Sequence, residues 1–278
     1  MTVAAGDPRW DYDSANRRPA AIEEAIDLAH NVGLVSAFVV RDVKARYKRS
    51  VLGIAWSFAG PLLMMTVLTV AFSQAFAIHA RAYPIFVLPG LLLWNFFAQT
   101  TIATTGEVAA GVDLWRRVRM PKSVPAISSV LTNLVHLAIA VAVLIPVLLI
   151  LRTPIGWAAA EIPVVMILAA LFTLGVAFLT SSVALYFPDL GHVWSVLLSA
   201  WMFLTPVIYP ASILPARVQR FVNWNPMTRF VSAFREPLYE GRAVSLRDLL
   251  ILFVIAFVSL AIGWIAFTRH ADEIPYRA

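Results

Sequence analysis

Cysteine is absent from the 278 residues, which excludes disulfides and thiolate metal sites. Charge is scarce: 14% of residues are Asp, Glu, Lys or Arg, against about a quarter in a soluble domain. Lysine occurs only at positions 44, 48 and 122, so the cationic charge is nearly all arginine. No G-x-x-x-x-G-K-[ST] phosphate loop is present, and nucleotide hydrolysis in the Walker manner is excluded with it. The five histidines (30, 79, 136, 192 and 270) form no H-x-x-x-H or H-E-x-x-H pair, and carboxylates are practically missing from the apolar stretches. A cation-coupled carrier would need an intramembrane ionisable group. His136 is the best candidate for one, although it also reads as a packing histidine bonded to a neighbouring helix.

What the chain has in excess is hydrophobic residues, 60% of the total, and they come in blocks. Residues 52–78 and 83–106 contain no charge at all. Further apolar stretches cover 123–151, 162–187, 193–214 and 249–268. About 20 apolar residues cross a hydrocarbon core of about 30 Å, and a helix satisfies its own backbone there. The expectation is an all-α integral membrane protein with six transmembrane helices. Residues 1–20 are polar and do not read as a cleavable signal; they are expected to be a flexible cytoplasmic lead-in. Residues 21–50 are expected to form an amphipathic helix in the cytoplasmic interface, where Asp42 and Arg46 stand at i,i+4 and can pair. Residues 51–270 would form the transmembrane domain, and 271–278 a cytoplasmic tail.

Basic residues orient the layout. Arg41, Lys44, Arg46, Lys48 and Arg49 precede the first stretch, and Arg116, Arg117, Arg119 and Lys122 fall between the second and third. Positive charge holds loops in the cytoplasm, so both termini are expected inside. Six arginines lie between 215 and 247, on the side expected outside, but long outer segments weigh little in that rule. The formal charge of +6 is read as topology and lipid contact, not as nucleic-acid binding.

The region 203–241 is too apolar for a solvated loop, yet prolines at 206, 210, 215, 226 and 237 forbid one continuous helix. Broken helices at membrane depth are tolerated where they pack on protein or line a cavity. Residues 215–241 are therefore expected to be re-entrant helices forming an outer gate; a folded loop lying on the headgroups is the alternative. Asp189, Glu161, Glu236 and Glu240 are scattered over different loops, an arrangement that argues against an enzyme acting on lipid-linked sugars.

Two blocks carry a family resemblance. The first is Arg41-Asp42-x-Lys44-x-Arg46-Tyr47, followed by Ser50, Leu52, Gly53, Trp56 and Pro61. The second runs Thr205, Pro206, Tyr209, Pro215, Asn225, Pro226, Arg235. Together they resemble the ABC-2 type permeases of polysaccharide exporters, the membrane subunits that export O-antigen, capsule, galactan or teichoic acid. The resemblance implies a homodimeric channel on two copies of a separate ATPase, which would bind ATP and Mg, so that this chain needs no cofactor. It implies a lipid-linked glycan as substrate and membrane lipid as surroundings, with a drug or small lipid as the alternative cargo. It also implies that the interface helix, with Arg41, Asp42, Lys44, Arg46 and Tyr47, contacts the ATPase. The loop helix between the second and third spans, with Arg116, Arg117, Arg119 and Pro121, would do the same. The three loop arginines suit either the substrate diphosphate or anionic headgroups. Trp56, Phe58, Trp94, Trp201, Phe203 and Tyr209 are candidate aromatic faces along a sugar path, and each also reads as an interfacial anchor or packing residue. Pro206, Pro210, Asn225, Pro226 and Arg235 are assigned to the outer gate.

Overall fold

The computed structural model describes residues 19–48, 56–72, 83–110, 120–150, 153, 156–187 and 189–271. All the regular structure among them is helical. The helices are α1 (Ala20–His30), α2 (Val32–Lys48), α3 (Trp56–Phe72), α4 (Tyr83–Ala110), α5 (Val124–Ile150), α6 (Ile162–Ala184), α7 (Leu190–Leu204), α8 (Ala216–Trp224), α9 (Pro226–Arg235) and α10 (Leu246–Ala271). A 3-10 turn, Trp157–Glu161, leads into α6, and a π turn, Glu236–Glu240, follows α9.

Four segments are long and apolar enough to cross a membrane: Tyr83–Glu107, Val124–Pro146, Trp157–Ala184 and Leu246–His270. The first and fifth apolar stretches hold shorter helices, α3 with 17 residues and α7 with 15. At 1.5 Å per residue these are about 25 and 22 Å long. The stretch expected to run helically to 214 ends as a helix at Leu204. Thr205 precedes Pro206 and is extended, with ψ 129°, because a residue before proline is driven out of the helical region. Residues 111–119, where the loop helix was expected, lie outside the described residues, so that expectation has no counterpart here.

The amphipathic segment expected over 21–50 is divided in two. Asn31 ends α1, its backbone N–H reaching the carbonyls of Asp27 and Leu28 and its side chain donating to Asp27 O at 2.8 Å. The second half, α2, runs alongside the first half of α5. Val35 accepts a long bond from the Ser128 hydroxyl at 3.5 Å, and Arg46, three turns on, reaches His136.

The core is built on α4, α6 and α10. Helices α6 and α10 touch backbone to backbone. A Cβ added at Gly175 would overlap the Ser259 carbonyl, and one at Gly263 would overlap the carbonyl of Gly175. Small residues at such a crossing are how helices approach where no water drives them together. The Ser259 hydroxyl adds a bond to Phe172 O at 3.1 Å. Threonines of α4 return their hydroxyls to carbonyls one turn back, and Thr105 meets Thr180 of α6 at 3.2 Å. Helix α9 is enclosed by α4, α6 and α10, with Phe230 and Phe234 fully buried. Its Phe230 stacks on Phe172, ten residues into α6, with ring centroids 5.1 Å apart.

Candidate functional site

The unwound stretch 205–210 between α7 and the following 3-10 turn leaves backbone carbonyls that no helix satisfies. Two side chains from other elements, Arg235 and Tyr83, take them, and Tyr209 of the stretch itself turns back to the last turn of α7. Arg235, at the end of α9 and 8% exposed, donates Nη2 to Val207 O at 2.9 Å and both terminal nitrogens to Pro206 O at 3.2 and 3.3 Å. Its guanidinium carbon lies 3.8 Å from the centre of the Phe86 ring, so one face of the cation rests on an aromatic surface. Tyr83 donates its hydroxyl to Ile208 O at 2.7 Å, and Tyr209 donates to Phe203 O at 2.7 Å. Gly90 makes room for the clamp: a Cβ there would stand 2.7 Å from Nη2 of Arg235.

Asn225 joins the two sides of the same region. Its Oδ1 accepts from the backbone N–H of Met227, capping α9, and from the Trp201 indole N–H, both at 3.0 Å. Its Nδ2 donates to the Thr205 hydroxyl at 2.8 Å. Pro226 follows as the first residue of α9, where a missing N–H costs nothing. Trp201 meets Trp94 and Phe97 edge-on at 6.2 and 5.3 Å, and Phe97 stacks on Phe172 at 5.7 Å. A continuous column of rings thus links the broken segment to the middle of α4 and α6.

Between α8, α9 and the start of α10 lies a polar cavity of about 250 Å³, lined by Asn223, Thr228, Arg229, Ser232, Glu236 and Asp248. Burial, and then the neighbouring Glu240 and Asp248 carboxylates, raise the pKa of Glu236 above its ordinary value. No group of three or more metal-ligating side chains occurs among the described residues.

At the other end of the bundle, α1 and α2 are tied to the long helices. The Glu24 carboxylate accepts the backbone N–H of Ser123 at 2.8 Å and its hydroxyl at 2.7 Å, placing an anion at the start of α5. Trp264 of α10 donates to Ala21 O at 3.2 Å. Asp42 pairs with its neighbour Arg41 at 2.7 Å, and Arg41 also covers the Phe38 ring. Arg46 turns away from Asp42 and places Nη1 2.8 Å from Nδ1 of His136.

The residues singled out in the sequence are therefore distributed as follows. Pro206, Asn225, Pro226 and Arg235 come together at one junction, with Pro210 at its far end. Trp94 is 3% exposed and Trp201 half-buried, both in the ring column. Phe203 is 64% exposed, and Tyr209 is half-buried beside it. Pro121 is buried ahead of α5, while Arg41 and Lys44 are exposed on α2. The side chains of Tyr47, Trp56 and Phe58, and residues Arg116, Arg117 and Arg119, lie outside the described residues. Sequence reasoning missed Tyr83, Phe86 and Gly90, whose only signal is the proline-flanked run YPIFVLPG. It also missed the amides Asn95, Gln99 and Asn133, visible as isolated polar residues inside charge-free stretches.

Four long apolar helices, packed round a buried arginine clamp on a broken segment, mark a membrane protein. Residues 33–239 match the family described as ABC-2 type transporter, and the chain belongs to that family. It is 32% identical over 240 residues to the O-antigen export system permease protein RfbA of Myxococcus xanthus, covering 84% of this chain and 90% of that protein. It is 25% identical over 255 residues to the capsule polysaccharide export inner-membrane protein CtrC of Neisseria meningitidis, covering 87% and 92%. To the polysialic acid transport protein KpsM of Escherichia coli it is 24% identical over 246 residues, covering 82% and 91%.

Proposed function

We propose that the chain is the permease subunit of an ATP-binding-cassette exporter that moves lipid-linked polysaccharide, of O-antigen, galactan or teichoic-acid type, across the bacterial cytoplasmic membrane. The observation that carries this is near full-length similarity to an O-antigen export permease, 84% of one chain against 90% of the other. ATP and Mg would be bound by a separate ATPase, two copies of it serving a homodimer of this chain. The chain itself would be a channel-forming subunit and not an enzyme.

In this reading α3 and α7 complete a six-span layout with both termini in the cytoplasm. Helix α2, with Arg41, Asp42, Lys44, Arg46 and Tyr47, and the segment carrying Arg116, Arg117, Arg119 and Pro121 would transmit ATPase motion. The Glu24–Ser123 contact supports this, because a push on α1 passes directly to the start of α5. The junction of Pro206, Pro210, Asn225, Pro226 and Arg235 would act as the outer gate. Its support is the contact of Phe230 with Phe172, ten residues into α6, deep enough for α9 to re-enter the membrane. Phe203 at the end of α7, Tyr209 on the broken segment, and Trp56 and Phe58 would offer ring faces to the glycan, and Trp94 and Trp201 would belong to the same path.

Co-expression with a phosphate-loop ATPase encoded beside the gene tests the proposal. The expected product is a stable two-plus-two complex whose ATPase activity rises with lipid-linked glycan; a chain that never associates with an ATPase would overturn it.

A further inference from the structure

A second polar feature lies away from the gate, in the middle of the bundle. A cavity of about 200 Å³ opens between α2, α3, α4 and α5, and its polar lining is Arg46, Asn95, Gln99, Asn133 and His136. Its depth follows from the helices themselves. Asn95 stands twelve residues from each end of the span Tyr83–Glu107. His136 stands twelve residues from one end of Val124–Pro146 and ten from the other. Both stand near the middle of their apolar spans, about 18 Å along helices that rise 1.5 Å per residue. Asn95 and Gln99 share a face of α4 at i,i+4, as Asn133 and His136 share one of α5 at i,i+3, so two antiparallel spans turn amides toward the same space.

Arg46 brings a full positive charge to that depth. Its Nη1 is 2.8 Å from His136 Nδ1, and a guanidinium only donates, so Nδ1 accepts and the ring proton sits on Nε2. A neutral imidazole orients the cation without compensating it. Among the described residues lining the cavity there is no carboxylate. The nearest acid on α2, Asp42, is a turn away and bonded to Arg41, and Glu107 lies two turns along α4 from Gln99. Arg46 is itself exposed at the cavity, open to an incoming anion, and guanidinium with amide donors is the set that takes phosphate oxygens. The cavity has room for several waters or one phosphate-sized group.

We propose that this cavity is a mid-membrane binding site for a lipid-borne phosphate, with Arg46 as its cation and Asn95, Gln99 and Asn133 as hydrogen-bonding partners. Two lipids carry that chemistry: the diphosphate carrier of an exported glycan and an anionic glycerophospholipid. The depth favours the carrier, because resident headgroups lie at the interface whereas a diphosphate being moved across must pass the midplane. That assignment of source rests on the exporter reading; the phosphate site does not.

The test uses the full chain in detergent, with synthetic unsubstituted polyprenyl diphosphate, phosphatidylglycerol and phosphatidylcholine as three separate probes. Polyprenyl diphosphate is expected to bind and phosphatidylcholine to leave it in place. Arg46→Gln should weaken binding at least about tenfold, the loss of one charged hydrogen-bonding partner, and Arg46→Lys should retain part of it. Asn133→Asp keeps the side chain's size but puts a carboxylate in the cavity, and should abolish binding while thermal unfolding stays within a few degrees. Arg46-dependent binding of phosphatidylglycerol alone would keep the phosphate site and reassign its source to the bilayer. If folded R46Q and N133D bind every probe as the parent does, the site is refuted, whether or not ATP-driven export is found.

Discussion

Nη2 of Arg235 lies 2.9 Å from the carbonyl oxygen of Val207, so a cation at the end of one buried helix holds the unwound end of another segment. The same guanidinium bonds Pro206 O and rests on the Phe86 ring. Replacing Arg235 with alanine leaves two buried carbonyls without these donors. A loss of about 3 kcal/mol or more is expected, read as a lower unfolding temperature in detergent. Lysine should recover only part of it, since a point cation cannot fork to two carbonyls and stack at once. Arg235→Ala with unchanged unfolding temperature would show that the clamp is decorative.

Gly90 approaches the clamp from the opposite side. Gly90→Ala places a methyl 2.7 Å from Nη2 and is expected to reproduce part of the Arg235 defect. In the double variant with Arg235→Ala the glycine substitution should become nearly silent, because the atom it displaces is gone. Additive losses in unfolding temperature would contradict a shared cause.

The backbone contact between α6 and α10 leaves no room for side chains. Gly175→Val and Gly263→Val should each destabilise by more than the 1–3 kcal/mol typical of an overpacked core, because backbone and not a flexible side chain is in the way. Gly191→Ala, where nothing lies within 4 Å, is the control and should be near neutral. Detergent unfolding curves decide it; equal shifts at the three glycines would defeat the argument.

Asn225 is read through its two ends. Asn225→Asp retains the acceptor used by Met227 N–H and Trp201 Nε1 but loses the Nδ2 donor to Thr205, whereas alanine loses all three. Alanine should cost about 2 kcal/mol, a lost cap plus an unsatisfied indole, and aspartate less. Unfolding measured by tryptophan fluorescence checks the order of the two, and the reverse order would be inconsistent with a capping role.

Glu24 links the N-terminal helix to α5. Glu24→Ala should free α1 from the bundle, seen as sharper, more mobile spectra from a spin label at position 30, with the long helices unaffected. A label as immobile as in the parent would place the hold on α1 elsewhere, at Trp264.

The four long apolar helices were legible because composition alone announces a bilayer helix, and the end of α7 was legible in principle from Pro206. The continued apolarity to 214 hid it. Pro206 and Arg235 were visible as members of one region, but Tyr83, Phe86 and Gly90 were not, because they lie on α4 and meet the clamp only through the fold. The i,i+4 spacing of Asp42 and Arg46 permits a pair, yet Arg41 takes the acid and His136 takes the arginine. An apolar stripe on α2 says that one face is covered; it does not say that the cover is α5. The mid-membrane amides were hidden for the same reason, since each is unremarkable until two helices bring them to one cavity.

Export driven by a separate ATPase requires both chains in one membrane. Its most direct test is uptake of labelled lipid-linked polysaccharide by inverted membrane vesicles containing this chain with and without its ATPase. Uptake that requires both chains and ATP, and that falls at least tenfold in Arg235→Ala, is the predicted result. Uptake by this chain alone without ATP, or none by the ATP-hydrolysing complex, would contradict it.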